Sequence, residues 1–188
     1  MPRGGRGGNR PSSTGSSDAR SSVESHYDAQ ANLQVSRKAY MQQRREGPLI
    51  KYKDFANNVK RRMFKAYAHR AGSLLDLGCG RGGDLSKWRE AEVQRVLGMD
   101  LSADQLEDAR RRAKDGGARN TTQLEWMQGS LVDQALEEKL RPKLPDAGGA
   151  DAVAIMFAVQ FAFGSRQQAD TLLRTVSRLL RPGGGFFG

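Results

Sequence analysis

The sequence predicts an α/β fold built on a doubly wound parallel sheet, on three observations. From residue 72 onward, short apolar runs alternate with helical stretches of period 3.6. A glycine-dense turn, Gly78-Cys79-Gly80-Arg81-Gly82-Gly83, follows the first of these runs. The fourth run, Asp151–Phe157, is almost continuously apolar, as a strand covered on both faces must be.

The elements follow in order. Residues 1–22 are Gly, Ser, Arg and Pro with almost no apolar side chains, and should form a disordered basic tail. Its Arg3-Gly4-Gly5-Arg6-Gly7-Gly8 repeat has the composition of weak single-stranded nucleic-acid binders. Residues 23–70 form a basic helical segment: polar and partly helical to residue 46, broken at Gly47-Pro48, and helical again from Asp54. Phe55, Val59, Met63 and Tyr67 recur every four residues there and predict one buried stripe. Residues 71–188 carry the sheet. Ser73–Leu77 is the first strand, and a helix opening near Gly83 buries Leu85, Trp88 and Ala91. Arg95–Met99 is the second strand, ending at Asp100. Ser102 caps the next helix with Gln105 completing a capping box, and Leu106, Ala109 and Ala113 face inward. Gln123–Met127 is the third strand and Leu131–Leu140 a helix. After the fourth strand, Ser165 and Gln168 cap a helix burying Ala169, Leu172, Val176 and Leu179. Pro182-Gly183-Gly184 ends it, and Gly185-Phe186-Phe187 begins a fifth strand. Right-handed crossovers with one reversal give the spatial order 3-2-1-4-5, with ligands at the carboxyl ends of the strands.

Charge divides the chain. Residues 1–70 hold 15 Lys and Arg against 5 Asp and Glu, whereas the remainder holds 16 of each. A basic arm on a neutral body points to a polyanion such as RNA or DNA ahead of a membrane surface. Cys79 is the only cysteine, which excludes an internal disulfide. With His26 and His69 as the only histidines, no metal cluster is expected. The N-terminus lacks the apolar core of a secretory signal, and the run Ala152–Phe163 is too short to span a bilayer, so a soluble intracellular chain is expected.

Gly78, Gly80 and Gly83 satisfy G-x-G-x-x-G with Asp100 about 20 residues beyond, the pattern of a dinucleotide site. Asp100, at a strand end, can take both hydroxyls of a ribose. Three details favour S-adenosylmethionine over a nicotinamide or flavin dinucleotide. Asp76 lies inside the strand, where a carboxylate repels a pyrophosphate but suits a ligand ammonium or a structural water. The glycines, Gly80 among them, also fit the looser G-x-G-x-G turn. Leu180-Arg181-Pro182-Gly183-Gly184-Gly185-Phe186 has the helix end, turn and strand common before the fifth strand of Rossmann-like methyltransferases.

Four segments together resemble the messenger-RNA cap guanine-N7 methyltransferases, over residues 26–188. His26-Tyr27-Asp28 is similar to the family's His-Tyr-Asn. Pro48 to Lys60 is similar to I-x-x-L-R-x-F-N-N-x-x-K. Leu75-Asp76-Leu77-Gly78-Cys79-Gly80-Arg81-Gly82-Gly83-Asp84-Leu85-Ser86-Lys87-Trp88 matches L-D-L-G-C-G-K-G-G-D-L-x-K-W almost residue for residue, and is the most specific. Phe157 to Ser165, Gln168-Ala169-Asp170 and Leu179 to Gly188 resemble Q-F-x-x-H-Y-x-F-E-S, Q-A-D and L-x-P-G-G-x-F-I-G.

The resemblance implies a Rossmann-like S-adenosylmethionine-dependent methyltransferase acting on N7 of the guanine of GpppN-capped RNA. By position it implies that Lys60 contacts the donor carboxylate, Gly78 passes under the methionine part and Asp100 holds the ribose. Ser130, Met156 and Phe161 would line the adenine and methionine pocket, and Asn57, Arg81 and Gln160 would lie near the cap. No general base is needed, because guanine N7 attacks through a lone pair. The resemblance further implies a nuclear location, capped RNA as substrate, the capping apparatus or RNA polymerase II as partners, and neither metal nor membrane. The family has Asp at Ser130, Gln at Met156, His at Gln160, Tyr at Phe161 and Asn at Ala56. It also continues past the fifth strand, so the chain is expected to be an N-terminal portion with the C-terminal strands missing. Methylation of another acceptor, or a non-catalytic subunit binding S-adenosylmethionine and RNA, are the other readings.

Overall fold

The computed structural model describes residue 25 and residues 49–115, 121–145 and 148–188. The basic tail over residues 1–22, the His26-Tyr27-Asp28 motif and the helical stretch to residue 46 lie outside the described residues. Among the described residues the strands form one parallel sheet in the order β3-β2-β1-β4-β5, as expected. The strands are β1 (Ser73–Leu77), β2 (Arg95–Asp100), β3 (Gln123–Gln128), β4 (Ala150–Ala154) and β5 (Leu180–Phe187). The helices are α1 (Ile50–Tyr67), α2 (Leu85–Glu90), α3 (Ala103–Lys114), α4 (Leu136–Leu140) and α5 (Arg166–Leu179).

β1 is buried at every residue, and successive side chains serve opposite faces. Leu75 and Leu77 join Leu97, Met99, Val153 and Ile155 beneath α4 and α5. Leu74 joins Val96, Ala152 and Ala154 beneath α1 and α2, with Phe64, Trp88 and Phe187. The order reverses between β1 and β4, so a crevice opens at their carboxyl ends, where the glycine turn leaves the sheet.

The largest departure from expectation is the orientation of α1. Phe55, Val59 and Tyr67 are exposed, at 66%, 38% and 60%. The inward face is instead Ala56, Lys60 and Phe64, continued by Ala68, one residue round the helix. Two contacts set that rotation: Lys60 is drawn in by Asp84, and Phe64 meets Phe187 of β5 edge-on at 5.4 Å. The helix also begins at Ile50 rather than Asp54, because nothing after Pro48 opposes helix once the X-Pro restriction has passed.

Smaller differences have local causes. α4 begins at Leu136 rather than Leu131. Ser130 Oγ accepts from the Val132 amide and Asp133 Oδ1 from the Ala135 amide, which holds the intervening residues in turns. β4 ends at Ala154 rather than Phe157, and Val159–Ala162 forms a 3-10 turn. β5 begins at Leu180 rather than Gly185. Ala150 pairs Leu180 while Ala152 pairs Gly185, so Arg181–Gly184 bulge opposite Asp151, which Arg181 engages. Both predicted Ser caps are present: Ser102 and Ser165 accept from the Gln105 and Gln168 amides at 3.2 Å each.

Candidate binding crevice at the first glycine turn

Gly78 and Cys79 donate their amides to Met99 O at 2.7 and 2.9 Å, which pulls the turn across to β2. At the end of β2, Asp100 closes it. One carboxylate oxygen accepts from the Gly80 amide at 2.7 Å and the other from the Ser102 amide at 3.0 Å. Asp100 therefore links the glycine turn to the cap of α3. Gly78 has φ +90°, and a Cβ there would lie 2.5 Å from Ala158 Cβ. The glycine is required by packing against the loop after β4, a reason the turn motif alone does not reveal.

Beneath the turn lies a buried charge cluster. Asp76 is wholly buried, and its Oδ2 accepts from the Trp88 indole at 3.2 Å. Its other oxygen is buried without a hydrogen-bond partner. Asp84 Oδ2 accepts a hydrogen bond from Lys60 Nζ at 2.8 Å, and its Oδ1 lies 2.8 Å from Lys87 Nζ as an ion pair without a hydrogen bond. The Lys60 ammonium also lies 4.9 Å from the Phe157 ring centre. Phe157 itself takes φ +60°, a strained conformation for an aromatic residue, so the loop after β4 turns this ring towards α1. Burial first, then the Asp84 charge, pushes the Asp76 carboxyl up to about 8, against a smaller opposing pull from Lys60. Burial likewise raises the Cys79 thiol, with the Asp76 and Asp100 charges adding, so it is no nucleophile at neutral pH.

Because the folded-state pKa of Asp76 lies above its ordinary value of 3.8, the native state holds the proton more tightly than the unfolded chain. The part of the Asp76 burial cost that comes from its charge is thus absent below about pH 4, and stability falls as pH rises from there to about 8. Asp76→Asn should flatten that slope. Thermal unfolding followed from about pH 5 to pH 8.5 should show the parent losing several degrees and the variant markedly fewer; parallel curves would refute the assignment.

The site residues expected from sequence fall into groups. Lys60, Asp76, Gly78, Gly80 and Asp100 converge on the glycine turn. Asn57 lines an open polar cleft of about 480 Å³ with Asp54, Asn58, Arg61, Gly83, Ser86, Lys87 and Arg112. Arg81 stands beside it, paired with Asp108 of α3 at 3.1 Å, while its carbonyl accepts from Arg112. Gln160 and Phe161 are exposed on the 3-10 turn, and Gln160 donates to the Phe157 carbonyl at 2.8 Å. Ser130 is buried at the end of β3, and Met156 is buried in the apolar layer beneath α1.

Sequence reasoning missed Asp84, Lys87, Phe157 and Arg112. The first two had a signal, since Asp84 and Lys87 stand at i and i+3 around the start of α2. Phe157 had none, because its role comes from a backbone angle. No group of three or more His, Cys, Asp or Glu able to hold a metal occurs among the described residues, and none of their helices is long and apolar enough to cross a membrane.

Residues 11–188 match the family described as mRNA (guanine-N(7))-methyltransferase domain. The chain is 31% identical over 188 residues to mRNA cap guanine-N(7) methyltransferase 1 of Oryza sativa subsp. japonica, covering 98% of this chain and 49% of that protein. The chain thus spans between about a quarter and a half of the length of the curated relatives it matches. Among solved structures, it resembles the complex between the Haloferax volcanii Trm112 methyltransferase activator and a putative methyltransferase, with TM-score 0.56 at 22% identity. That match covers 87% of this chain and 58% of the other. It also resembles an S-adenosylmethionine dependent methyltransferase from Mesorhizobium loti, with TM-score 0.51 at 26% identity over 70% of this chain and 52% of the other. The fold is the Rossmann-like fold of such methyltransferases.

Proposed function

Because the chain belongs to the mRNA (guanine-N7)-methyltransferase family, we propose that it holds S-adenosylmethionine at the β1 glycine turn and methylates N7 of the guanine of GpppN-capped RNA. The observation that carries the reading is the charge pattern at that turn. A buried carboxyl group with one unsatisfied oxygen (Asp76), an ammonium (Lys60) and a strand-end carboxylate (Asp100) lie around one crevice. They suit, in turn, the ammonium, the carboxylate and the ribose hydroxyls of an amino-acid-bearing adenosine. Ser130, Met156 and Phe161 complete the adenine and methionine pocket in this reading.

When bound, the donor supplies an already activated sulfonium methyl. The protein's part is positional. No side chain has to remove a proton, because guanine N7 carries none. Lys60, Asp76 and Asp100 fix the donor's two ends, and the rigid turn fixes their spacing; alignment of this kind is worth about 7–11 kcal/mol of a barrier. Arg61 and Arg112 rim the cleft beside Asn57, with Arg81 next to it. They offer the triphosphate cationic and amide donors, and Gln160 faces the cap from the loop after β4. The basic arm before residue 70 adds phosphate contacts with the RNA beyond the cap, so affinity for RNA should fall as salt rises. A nuclear location and docking to the capping apparatus or RNA polymerase II belong to the same proposal and rest on family membership.

The test is transfer of labelled methyl from S-adenosylmethionine to GpppA-capped and to uncapped RNA. Label entering only the capped RNA, at guanine N7, is the expected result. Equal labelling of both RNAs, or calorimetry showing that the chain binds NAD and not S-adenosylmethionine, overturns it.

A further inference from the structure

Lys87 is nearly inaccessible, with its side chain 3% exposed, and although it borders the polar cleft beside Asn57, its ammonium is turned to Asp84 and the Gly83 carbonyl. A lysine is almost never buried so deeply without a task for its charge. Its ammonium lies 2.8 Å from one oxygen of Asp84 and donates to the Gly83 carbonyl at 3.1 Å. Lys60 holds the other Asp84 oxygen, also at 2.8 Å. Asp84 is thus a buried carboxylate shared between two ammonium groups, one on α1 and one on α2.

The sharing has a consequence if, as proposed above, Lys60 serves the donor carboxylate. To do so it must turn from Asp84 to the ligand. A buried carboxylate stripped of its only counter-ion is strongly penalised, because no water replaces the lost partner. Lys87 removes that penalty, because Asp84 remains paired after Lys60 has left. We propose that Lys87 is a positioning residue of the donor pocket, acting through Asp84 to free Lys60 for the ligand and to hold down the negative potential around Asp76. The inference rests on the reading of the crevice as a donor site, but part of its test does not.

The charged and titratable groups around Asp76 are Lys60 of α1, Cys79 in the turn, Asp84 at the head of α2 and Asp100 at the end of β2, and Lys87 reaches Asp76 only through Asp84. Asp76 and Asp84 repel one another, and Lys60 and Lys87 offset them. Removing one cation from this set favours a proton on a carboxylate, whereas removing the Asp84 charge disfavours it. The Trp88 indole N–H, bonded to Asp76, is a built-in reporter of that proton.

The experiment uses the full 188-residue chain. The pH titration of the Trp88 indole resonance is followed without ligand in the parent, Lys87→Met, Lys87→Arg and Asp84→Asn. Calorimetric affinity for S-adenosylmethionine is then measured on the same samples. Lys87→Met should raise the titration midpoint, by leaving the Asp84 charge less neutralised, and Asp84→Asn should lower it, with Lys87→Arg close to the parent. Lys87→Met should also weaken donor binding at least about tenfold, with Lys87→Arg recovering most of it. A merely structural lysine would not send the midpoint in opposite directions in the two variants. If Lys87→Met does not fold, Lys87→Gln takes its place, with the same rise in midpoint and loss of donor affinity expected and an unchanged midpoint overturning the role. Unchanged midpoints, or midpoints moving the same way, overturn the role of Lys87. A parent that titrates as expected but binds no S-adenosylmethionine overturns the donor site instead.

Discussion

Gly78→Ala should unfold about 6–12 °C below the parent, the shift expected for a loss of about 3 kcal/mol in a chain of this length. Two costs combine. At φ +90° an L-residue is strained by about 1–3 kcal/mol. The new Cβ would also lie 2.5 Å from Ala158 Cβ, so the turn and the loop after β4 must separate. That separation would shift Phe157, whose ring lies beside Lys60. Gly83→Ala is the matched control, since a Cβ at Gly83 meets nothing within 4 Å and its φ is not positive. It should lie within about 0.5 kcal/mol of the parent. Thermal unfolding of both variants checks the pair, and equal loss in both would refute the packing account of Gly78.

Asp100→Ala should reduce affinity for S-adenosylmethionine by about 100-fold or more and also lower stability. The second effect follows from the structure alone. Without the carboxylate, the Gly80 and Ser102 amides lose their partners, at about 1–3 kcal/mol for each donor left unsatisfied. Asp100→Asn separates the two roles. Its amide oxygen can still accept from Gly80, so the turn survives, but it cannot take two ribose hydroxyls with two anionic oxygens. Calorimetry should then show a loss of about tenfold or more for Asp100→Asn, at an unfolding temperature between those of the parent and Asp100→Ala, because the Ser102 amide then faces the new NH2 group. Parental affinity in both variants would remove Asp100 from the donor site and leave it a turn residue only.

The parallel sheet, its order and the glycine turn could be read from the chain because they rest on local patterns: period-2 and period-3.6 apolar spacing, two Ser caps and a run of glycines. The donor-site residues Lys60, Asp76, Gly78, Gly80 and Asp100 were legible for the same reason, since strand ends and turns have positional meaning in this fold. The rotation of α1 was not legible. Phe55, Val59 and Tyr67 form as good a stripe as Ala56, Lys60 and Phe64 until Asp84 and Phe187 are placed against the helix. A charged residue on the inward face breaks the apolar period, and only a partner 24 residues away makes that favourable.

What belonged to the chain alone was therefore the identity and order of the elements, since backbone preference and side-chain period act within a few residues. What belonged to the assembled fold was the electrostatics of the crevice. Two carboxylates and two ammonium groups from β1, α1 and the start of α2 enter one water-poor space, where burial and the charges of Asp84 and Lys60 set the proton affinity of Asp76. Such coupling depends on distance and burial, and neither exists until the sheet has brought those segments together.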